Sequence, residues 1–317
     1  MLVLSLLCLG TASENAYAAK AKEPPKLADV IDSVRPSVVQ VLVQLIPTGG
    51  ADPRRQLPLA QIPPALRGCL SLTGTCILGT GFFVDSDGDV VTAYHVADGY
   101  RAADGSETLG VKQVIEMLRA AGVRADLEIG VATPNFEDKA ITVASNTEGF
   151  PAAFVATDPV HDLALIRPTV NPFAHMQRAF GGPAFAGVPQ ATVKYVTFSP
   201  TRPRDAEEIF ACGYPFSTPG LVTTSGTVAS AWNQQVLIRA AEAGYSSPQD
   251  VYTVDLRLNP GNSGGPVFKL SDQSVIGVAV QSFGSLAVVV PSKFVTAFLT
   301  SHGVSWTPAT TSSKKAK

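Results

Sequence analysis

The stretch NPGNSGGP, residues 259–266, decides how the rest of the chain is read. It is a turn by composition. Pro260 fixes its own φ, while Gly261, Gly264 and Gly265 admit positive φ and close approach of other groups. Apolar residues alternate before it (Val254, Leu256, Leu258) and follow it (Val267, Phe268), so the spacing predicts strand, tight loop, strand. A single hydroxyl, Ser263, stands among the glycines. A serine attacks a carbonyl only with a base in contact and with amide donors aimed at the oxyanion it creates. A Gly-rich turn can expose such amides; the base must come from elsewhere.

The same string satisfies G-x-S-x-G, Gly261 to Gly265. A nucleophile elbow on an α/β-hydrolase sheet needs a helix straight after the serine and the order Ser, acid, His. Here another strand pattern follows, and the only later histidine is His302. The partners of Ser263 are therefore sought upstream.

The 317 residues suffice for about two ordinary domains or one large β domain. With 45% hydrophobic and 16% charged residues the chain can build a sizeable core. A formal net charge of −2 gives no support for a nucleic-acid or anionic-membrane partner. The 27 Gly and 24 Pro indicate many turns. Leu2 to Leu9 form a short apolar run, and Ala16-Tyr17-Ala18 supplies a small-x-small site, so residues 1–18 read as an export signal, without the usual basic residue in front. That predicts an exported protein, periplasmic or secreted, with no membrane span in the mature chain. Of the four cysteines, Cys8 lies in the signal, Cys69 and Cys76 flank a short loop and form a possible disulfide, and Cys212 sits in an apolar strand. Their spacing matches no common zinc site.

Residues 19–29 read as a linker, with a short helical pattern from Leu27 and a strand from Val38 to Leu45. Residues 47–68 form a long Pro/Arg-rich loop. In ILGTGFFVDSDGDVVTAYHVADG, residues 77–99, two strands flank an acidic hairpin turn and His95 falls just past the second. The turn lacks the downstream Glu and flanking helices of a calcium loop. Residues 106–121 carry helical spacing and predict an inserted helix, and strands are expected near 127–132, 140–144 and 152–156. In ATDPVHDLALIRP, Asp162 stands at the mouth of a strand from Leu163 to Ile166. A connection at 173–187 precedes a second β-rich half with strands expected at 191–198, 208–213, 221–232, 251–258, 266–270, 275–282 and 286–290, then a helix over 291–302 and a disordered tail, 307–317. Many short strands suggest barrels or sandwiches, and two such halves, 30–172 and 188–306, suggest a cleft between them.

The candidates stand in the order His95, Asp162, Ser263, the order of the two-barrel serine proteases of the chymotrypsin type. TGFFVDSDGDVVTAYHVADG, DLALI, ACGYPFS…LVTTSGTVAS, NPGNSGGPVF and VVVPSKFVTAFL occur in the order and approximate spacing of HtrA/DegP-like trypsin-fold proteases, and the chain resembles them over roughly residues 30–302. The resemblance implies an all-β fold of two six-stranded antiparallel β-barrels with a C-terminal helix, the first barrel carrying His95 and Asp162 and the second Ser263. It implies a serine endopeptidase acting on protein or peptide substrates, in protein quality control, and needing no metal or organic cofactor. Ser263 attacks, His95 moves the proton, Asp162 holds the imidazole, and the amides of Gly261 and Ser263 form the oxyanion hole, at roughly 3–4 kcal/mol per donor in well-studied cases. It places the backbone near Ala279, Val280, Gln281 and Ser282 beside the substrate as an added strand.

Asp158 and His161 compete with Asp162 for the acid position, but only Asp162 directly precedes the Leu-Ala-Leu strand; His161, His175 and His302 carry no motif. Asn262 stands where digestive proteases of this fold carry the Asp that pairs with a newly cut N-terminus, so activation by terminus insertion is not expected. Arg257 lies where the fold builds its S1 pocket. Pointing inward it favours an acidic P1 side chain; pointing outward it leaves a pocket of Leu256, Leu258 and Val280 that favours small apolar P1. No PDZ-like module is expected after the protease part, although HtrA enzymes commonly recruit substrate with one, and a homo-oligomer is expected by resemblance. The alternative is a protease-fold protein that binds partners or unfolded chains with little or no hydrolysis.

Overall fold

The computed structural model describes residues 27–49, 75–97, 120, 124–132, 150–169, 194–218, 220–242 and 244–310. The chain begins with helix α1 (Leu27–Val34), which buries Val30 and Val34. The helix begins at Leu27, where the sequence pattern turns helical, because these valines, one turn apart, face the core. Strands β1 (Val38–Gly49), β2 (Thr75–Phe83), β3 (Val90–Ala93), β4 (Arg124–Ala132), β5 (Phe150–Asp158) and β6 (Leu163–Pro168) follow, with one helical turn, α2 (Tyr94–Ala97), after β3. They close into a six-stranded barrel in the order β1-β2-β3-β6-β5-β4. β1 runs on to Gly49, past the loop start expected at Pro47, because its ladder with β4 continues to Arg124. The tight β2–β3 turn is built on Asp85, whose Oδ1 accepts from the amides of Asp87, Gly88 and Asp89.

The second half comprises β7 (Thr197–Phe198), β8 (Glu208–Gly213), β9 (Val222–Gln235), α3 (Ile238–Glu242), β10 (Gln249–Asp255), β11 (Pro266–Lys269), β12 (Val275–Phe283), β13 (Leu286–Pro291), α4 (Ser292–Ser301) and β14 (Thr307–Pro308). Its sheet runs β11-β8-β9-β10-β13-β12, and pairing of β11 with β12 closes these strands on themselves. Two short strands extend it, β7 parallel to β12 and β14 parallel to β7. Thr307 and Pro308, read as the start of a disordered tail, are therefore ladder residues. Their neighbour Trp306 explains the difference, since it meets Phe198 edge-to-face at 6.2 Å and brings the chain alongside β7. Among the described residues of the strand expected at 191–198, Thr197 and Phe198 form the strand that pairs.

Apolar runs rather than alternation mark the inner strands, because both of their faces are covered. In β8, Ile209 and Ala211 join a cluster with Val254, Leu256 and Val289. Phe210 and Cys212 between them face a larger cluster shared with the first barrel, with Val39, Phe82, Phe198, Phe268 and, from α4, Val295 and Leu299. Phe210 stacks on Phe268 at 5.0 Å between centroids and Phe82 meets Phe198 at 6.3 Å. All four rings are fully buried, each contributing about 1.5–3 kcal/mol. The two barrels thus share one apolar seam.

The signal, the 106–121 helix except for residue 120, the strand at 140–144, the connection at 173–187, His175, Cys69 and the side chain of Cys76 lie outside the described residues.

Candidate active site

Strand pairing in the first barrel brings two of the candidates together. β3 and β6 are antiparallel with Ala93 opposite Leu163, so the residues just past Ala93 and just before Leu163 are neighbours. The Tyr94 amide donates to the Asp162 carbonyl at 3.0 Å and the His95 amide to Asp162 Oδ1 at 3.0 Å. His95 Nδ1–H donates to Asp162 Oδ2 at 2.8 Å. A carboxylate only accepts, so this contact fixes the tautomer and leaves Nε2 as the acceptor facing the cleft. Asp162 is fully buried and His95 is 17% exposed in its side chain.

Asp162 adopts φ 54°, in the left-handed region that Asp tolerates better than most residues. The turn before it is held by Asp158. Its Oδ1 accepts from the amides of Val160 at 3.1 Å and His161 at 3.2 Å, and its Oδ2 accepts from His161 Nδ1 at 2.7 Å. Burial works to raise the Asp158 carboxyl, but the His161 contacts and the amides together outweigh it and hold it below its ordinary value. His161, which carries no motif in the sequence, stacks on Phe294 of α4 at 4.1 Å. His302 donates from Nδ1 to the Phe298 carbonyl at 2.9 Å.

Ser263 sits in the loop between β10 and β11. The loop is held by the other barrel through one residue that sequence reasoning missed, Thr80 of β2. Its amide donates to the Ser263 carbonyl at 2.9 Å, its hydroxyl donates to the Gly261 carbonyl at 2.7 Å, and the same hydroxyl accepts the Tyr214 amide at 3.0 Å. Its own carbonyl accepts from Thr92 Oγ1 at 2.7 Å. Two glycines are required here. Gly264, at φ 84°, lies so close to the Thr80 carbonyl and the Thr92 hydroxyl that a Cβ would collide with both. Gly261, at φ 102°, packs against the Tyr214 carbonyl and the Phe216 amide.

The loop has a defined orientation. The Asn262 amide donates to the Asn259 carbonyl at 3.0 Å, a turn with Gly261 at its positive-φ position. The Phe216 amide donates to the Pro260 carbonyl at 2.7 Å. A planar trans peptide points its N–H opposite to its C=O, so the Gly261 N–H is directed away from Phe216. The amides of Gly261 and Ser263 donate to no acceptor among the described residues.

The cleft has a volume of about 370 Å³ and is lined by His95, Gly261, Ser263, Leu258, Ala279, Val280 and Gln281, with Ile238 of α3 as an addition the sequence did not suggest. No hydrogen bond joins the Ser263 hydroxyl to His95 in this state. Arg257 is exposed and lies outside the cleft lining, which corrects the inward alternative, and Leu256 is buried in the core rather than in the cleft wall. The cause is local. The Leu258 amide donates to the Leu256 carbonyl at 3.0 Å, a three-residue turn that turns Arg257 outward while Leu256 and Leu258 stay inside. Asn262 is buried.

Comparison with known proteins agrees with this architecture. The model of the trypsin-like peptidase domain matches residues 79–278. Among curated relatives, the chain is 27% identical over 240 residues to the uncharacterized protein y4bJ of Sinorhizobium fredii, covering 72% of this chain and 28% of that one. It is 24% identical over 304 residues to a probable periplasmic serine endoprotease, DegP-like, of Pseudomonas savastanoi, covering 89% of this chain and 48% of the relative. The chain thus spans less than half the length of these relatives. Among solved structures, it superposes with a TM-score of 0.51 on the HtrA-type protease AlgW with decapeptide, at 17% identity, covering 87% of this chain and 66% of that one. It superposes with the same TM-score of 0.51 on the Rv3671c protease from M. tuberculosis in its active form, at 18% identity and 96% coverage of both.

Proposed function

The chain belongs to the trypsin-like peptidase domain family, and from that premise we propose that it is an exported serine endopeptidase cleaving protein or peptide substrates through an acyl-enzyme. The observation that carries this reading is the doubly hydrogen-bonded His95–Asp162 pair opening onto the same cleft as Ser263.

His95 Nε2, made the free acceptor by the Nδ1–H bond to Asp162, takes the Ser263 hydroxyl proton as Oγ attacks the scissile carbonyl. The carbonyl electrons move onto oxygen, where the amides of Gly261 and Ser263 receive them. The imidazolium, stabilised by buried Asp162, returns the proton to the leaving amine, and a water repeats the sequence to free the acid. Asp162 orients the ring from two directions at once, through the His95 amide and the ring nitrogen.

Substrate binding uses β12. Ala279 closes the ladder to the nucleophile loop, donating to the Gly265 carbonyl at 2.9 Å and accepting the Gly264 amide at 2.7 Å. Val280 to Ser282 continue along that edge into the cleft wall, where a substrate strand can pair. Leu258, Val280 and Ile238 give the first subsite apolar walls, which favours small apolar P1 residues over acidic ones. The relatives named probable periplasmic serine endoproteases support a periplasmic setting, in which a role in protein quality control is our reading, and no helix of the described residues is long and apolar enough to cross a membrane.

Labelling with a fluorophosphonate probe tests the reading. The wild type is expected to label at Ser263 and Ser263→Ala not at all. A wild type that hydrolyses no casein-like substrate and takes no label would leave the binding-only alternative standing.

A further inference from the structure

Resting on the peptidase reading above, we propose that Gln40 of β1 is a positioning residue for catalysis: its side-chain amide holds the segment 214–218, whose Phe216 amide in turn sets the peptide that carries the Gly261 oxyanion donor.

The inference starts from a polar side chain in an apolar setting. Gln40 is 3% exposed and stands between Val39 and Val41, both fully buried. Glutamine is mostly a surface residue, and burying its amide is costly unless the amide is hydrogen-bonded. Gln40 Nε2 donates to the Thr218 carbonyl of the second half at 2.8 Å. A carbonyl only accepts, so it is the NH2 end that faces Thr218. Gln40 is directly opposite Thr80 in the β1–β2 ladder, and directly opposed residues project to the same face. The two side chains thus form one polar edge of the first barrel. Thr80 Oγ1 accepts the Tyr214 amide at 3.0 Å and Gln40 donates to Thr218, so the segment is gripped at both ends.

The turn between these grips is strained. Phe216 adopts φ 51° and ψ 31°, a left-handed conformation that is an outlier for a bulky residue. Its ring is 67% exposed, so packing of the side chain does not hold it there. Such a conformation persists only where the surroundings over-determine it. Here the Thr218 amide closes the turn on the Pro215 carbonyl at 3.0 Å, and the Phe216 amide donates to the Pro260 carbonyl at 2.7 Å. The Pro260 carbonyl and the Gly261 N–H belong to one planar peptide. Without Gln40 the Thr218 end relaxes, Phe216 leaves its positive φ, and the Gly261 peptide loses the contact that orients it. Thr80 still holds Tyr214, so the loss is partial.

The test compares Gln40→Met and Gln40→Glu with the wild type, in the full chain. Met keeps the length and bulk of the side chain and removes the donor. On a casein-derived peptide, kcat and kcat/KM are expected to fall together by about tenfold, less than the roughly 10²–10³ that follows outright loss of an oxyanion donor. Hydrogen exchange of the Tyr214 and Phe216 amides is expected to quicken. Gln40→Glu supplies a readout that a purely structural role would not move. An ionised carboxyl cannot donate to the Thr218 carbonyl, whereas a protonated one can. Burial raises such a carboxyl above its ordinary value of about 4.3. Its deficit relative to the wild type is therefore expected to shrink as pH falls from about 8 to about 5, while that of Gln40→Met stays constant. Melting temperatures report folding, and the pH series decides even where Gln40→Met is unstable. A Gln40→Met variant with the kcat of the wild type, unchanged exchange of both amides, or a Gln40→Glu deficit indifferent to pH overturns the assignment while leaving the peptidase reading in place. Absence of both cleavage and Ser263 labelling in the wild type removes the peptidase reading and this role with it.

Discussion

Thr80→Val replaces a hydroxyl with a methyl of nearly the same shape at a fully buried site. Packing is kept, and two hydrogen bonds are lost. The Gly261 carbonyl loses its donor at 2.7 Å and the Tyr214 amide loses its acceptor at 3.0 Å. Each buried group left unpaired costs about 1–3 kcal/mol. Gly261 is half-buried and can recover part of that loss from water, so the total is about 2–4 kcal/mol. The larger effect falls on chemistry. Tyr214 leads directly into the segment whose Phe216 amide holds the Pro260 carbonyl, and Gly261 is the next residue of the loop. Releasing both lets the Gly261 peptide turn, and loss of one oxyanion donor costs about 10²–10³ in rate. Urea unfolding and the rate constant for fluorophosphonate labelling of Ser263 measure the two effects separately. Thr80→Ser keeps the hydroxyl and is expected to label within about threefold of the wild type, a deficit of less than 1 kcal/mol. A Thr80→Val protein as stable as the wild type and labelled at the same rate would falsify the claim that this hydroxyl sets the loop.

Other expectations are more local. Asp158→Ala should slow Ser263 labelling by about tenfold by loosening the turn that carries Asp162, and Asp158→Asn, which can still accept the two amides, should recover most of it. The folded carboxyl of Asp158 lies below its ordinary value of 3.8. Its stabilisation is therefore complete above that value and is lost as pH falls through the folded one, so the melting temperatures of wild type and Asp158→Asn should converge in strong acid. Burial pushes the Cys212 thiol up to about 11, against a weaker opposing contact with Thr223. At pH 8 only about 0.1% is thiolate, so a disulfide reagent should react with Cys212 at the rate of unfolding. Gly264→Ala, with its added Cβ against Thr80 and Thr92, should cost about 2–4 kcal/mol from strain and overpacking together and abolish labelling; a stable, labelled variant would contradict the close approach of the barrels.

What could be read from the sequence was local. The loop at 259–266 announced itself through turn chemistry, and strands such as β8 and β6 announced themselves through apolar runs ended by Gly or Pro. His95 and Asp162 were visible because each stands at the end of a strand, and their meeting needed only the pairing of β3 with β6. Arg257 was not legible. Alternation holds within a ladder, and the chain has left the β10 ladder at Asp255 before the tight turn sets the direction of the arginine. Thr80 was invisible for another reason. Its partner Gly261 is 181 residues away, and nothing in a strand threonine marks it as a bridge between barrels.

The short parallel strand β14 has a bearing on the outer edge of the second sheet. It lies along β7, its ladder extended by the Ala309 amide donating to the Phe198 carbonyl at 2.8 Å. Without it, the outer edge of β7 would be bare beside the fully buried ring of Phe198. An uncovered edge next to apolar surface invites a strand from another molecule. Two residues and one amide therefore act as a selvedge: cutting the chain after Val304 should leave the cleft intact and open an edge that pairs with a strand of another molecule.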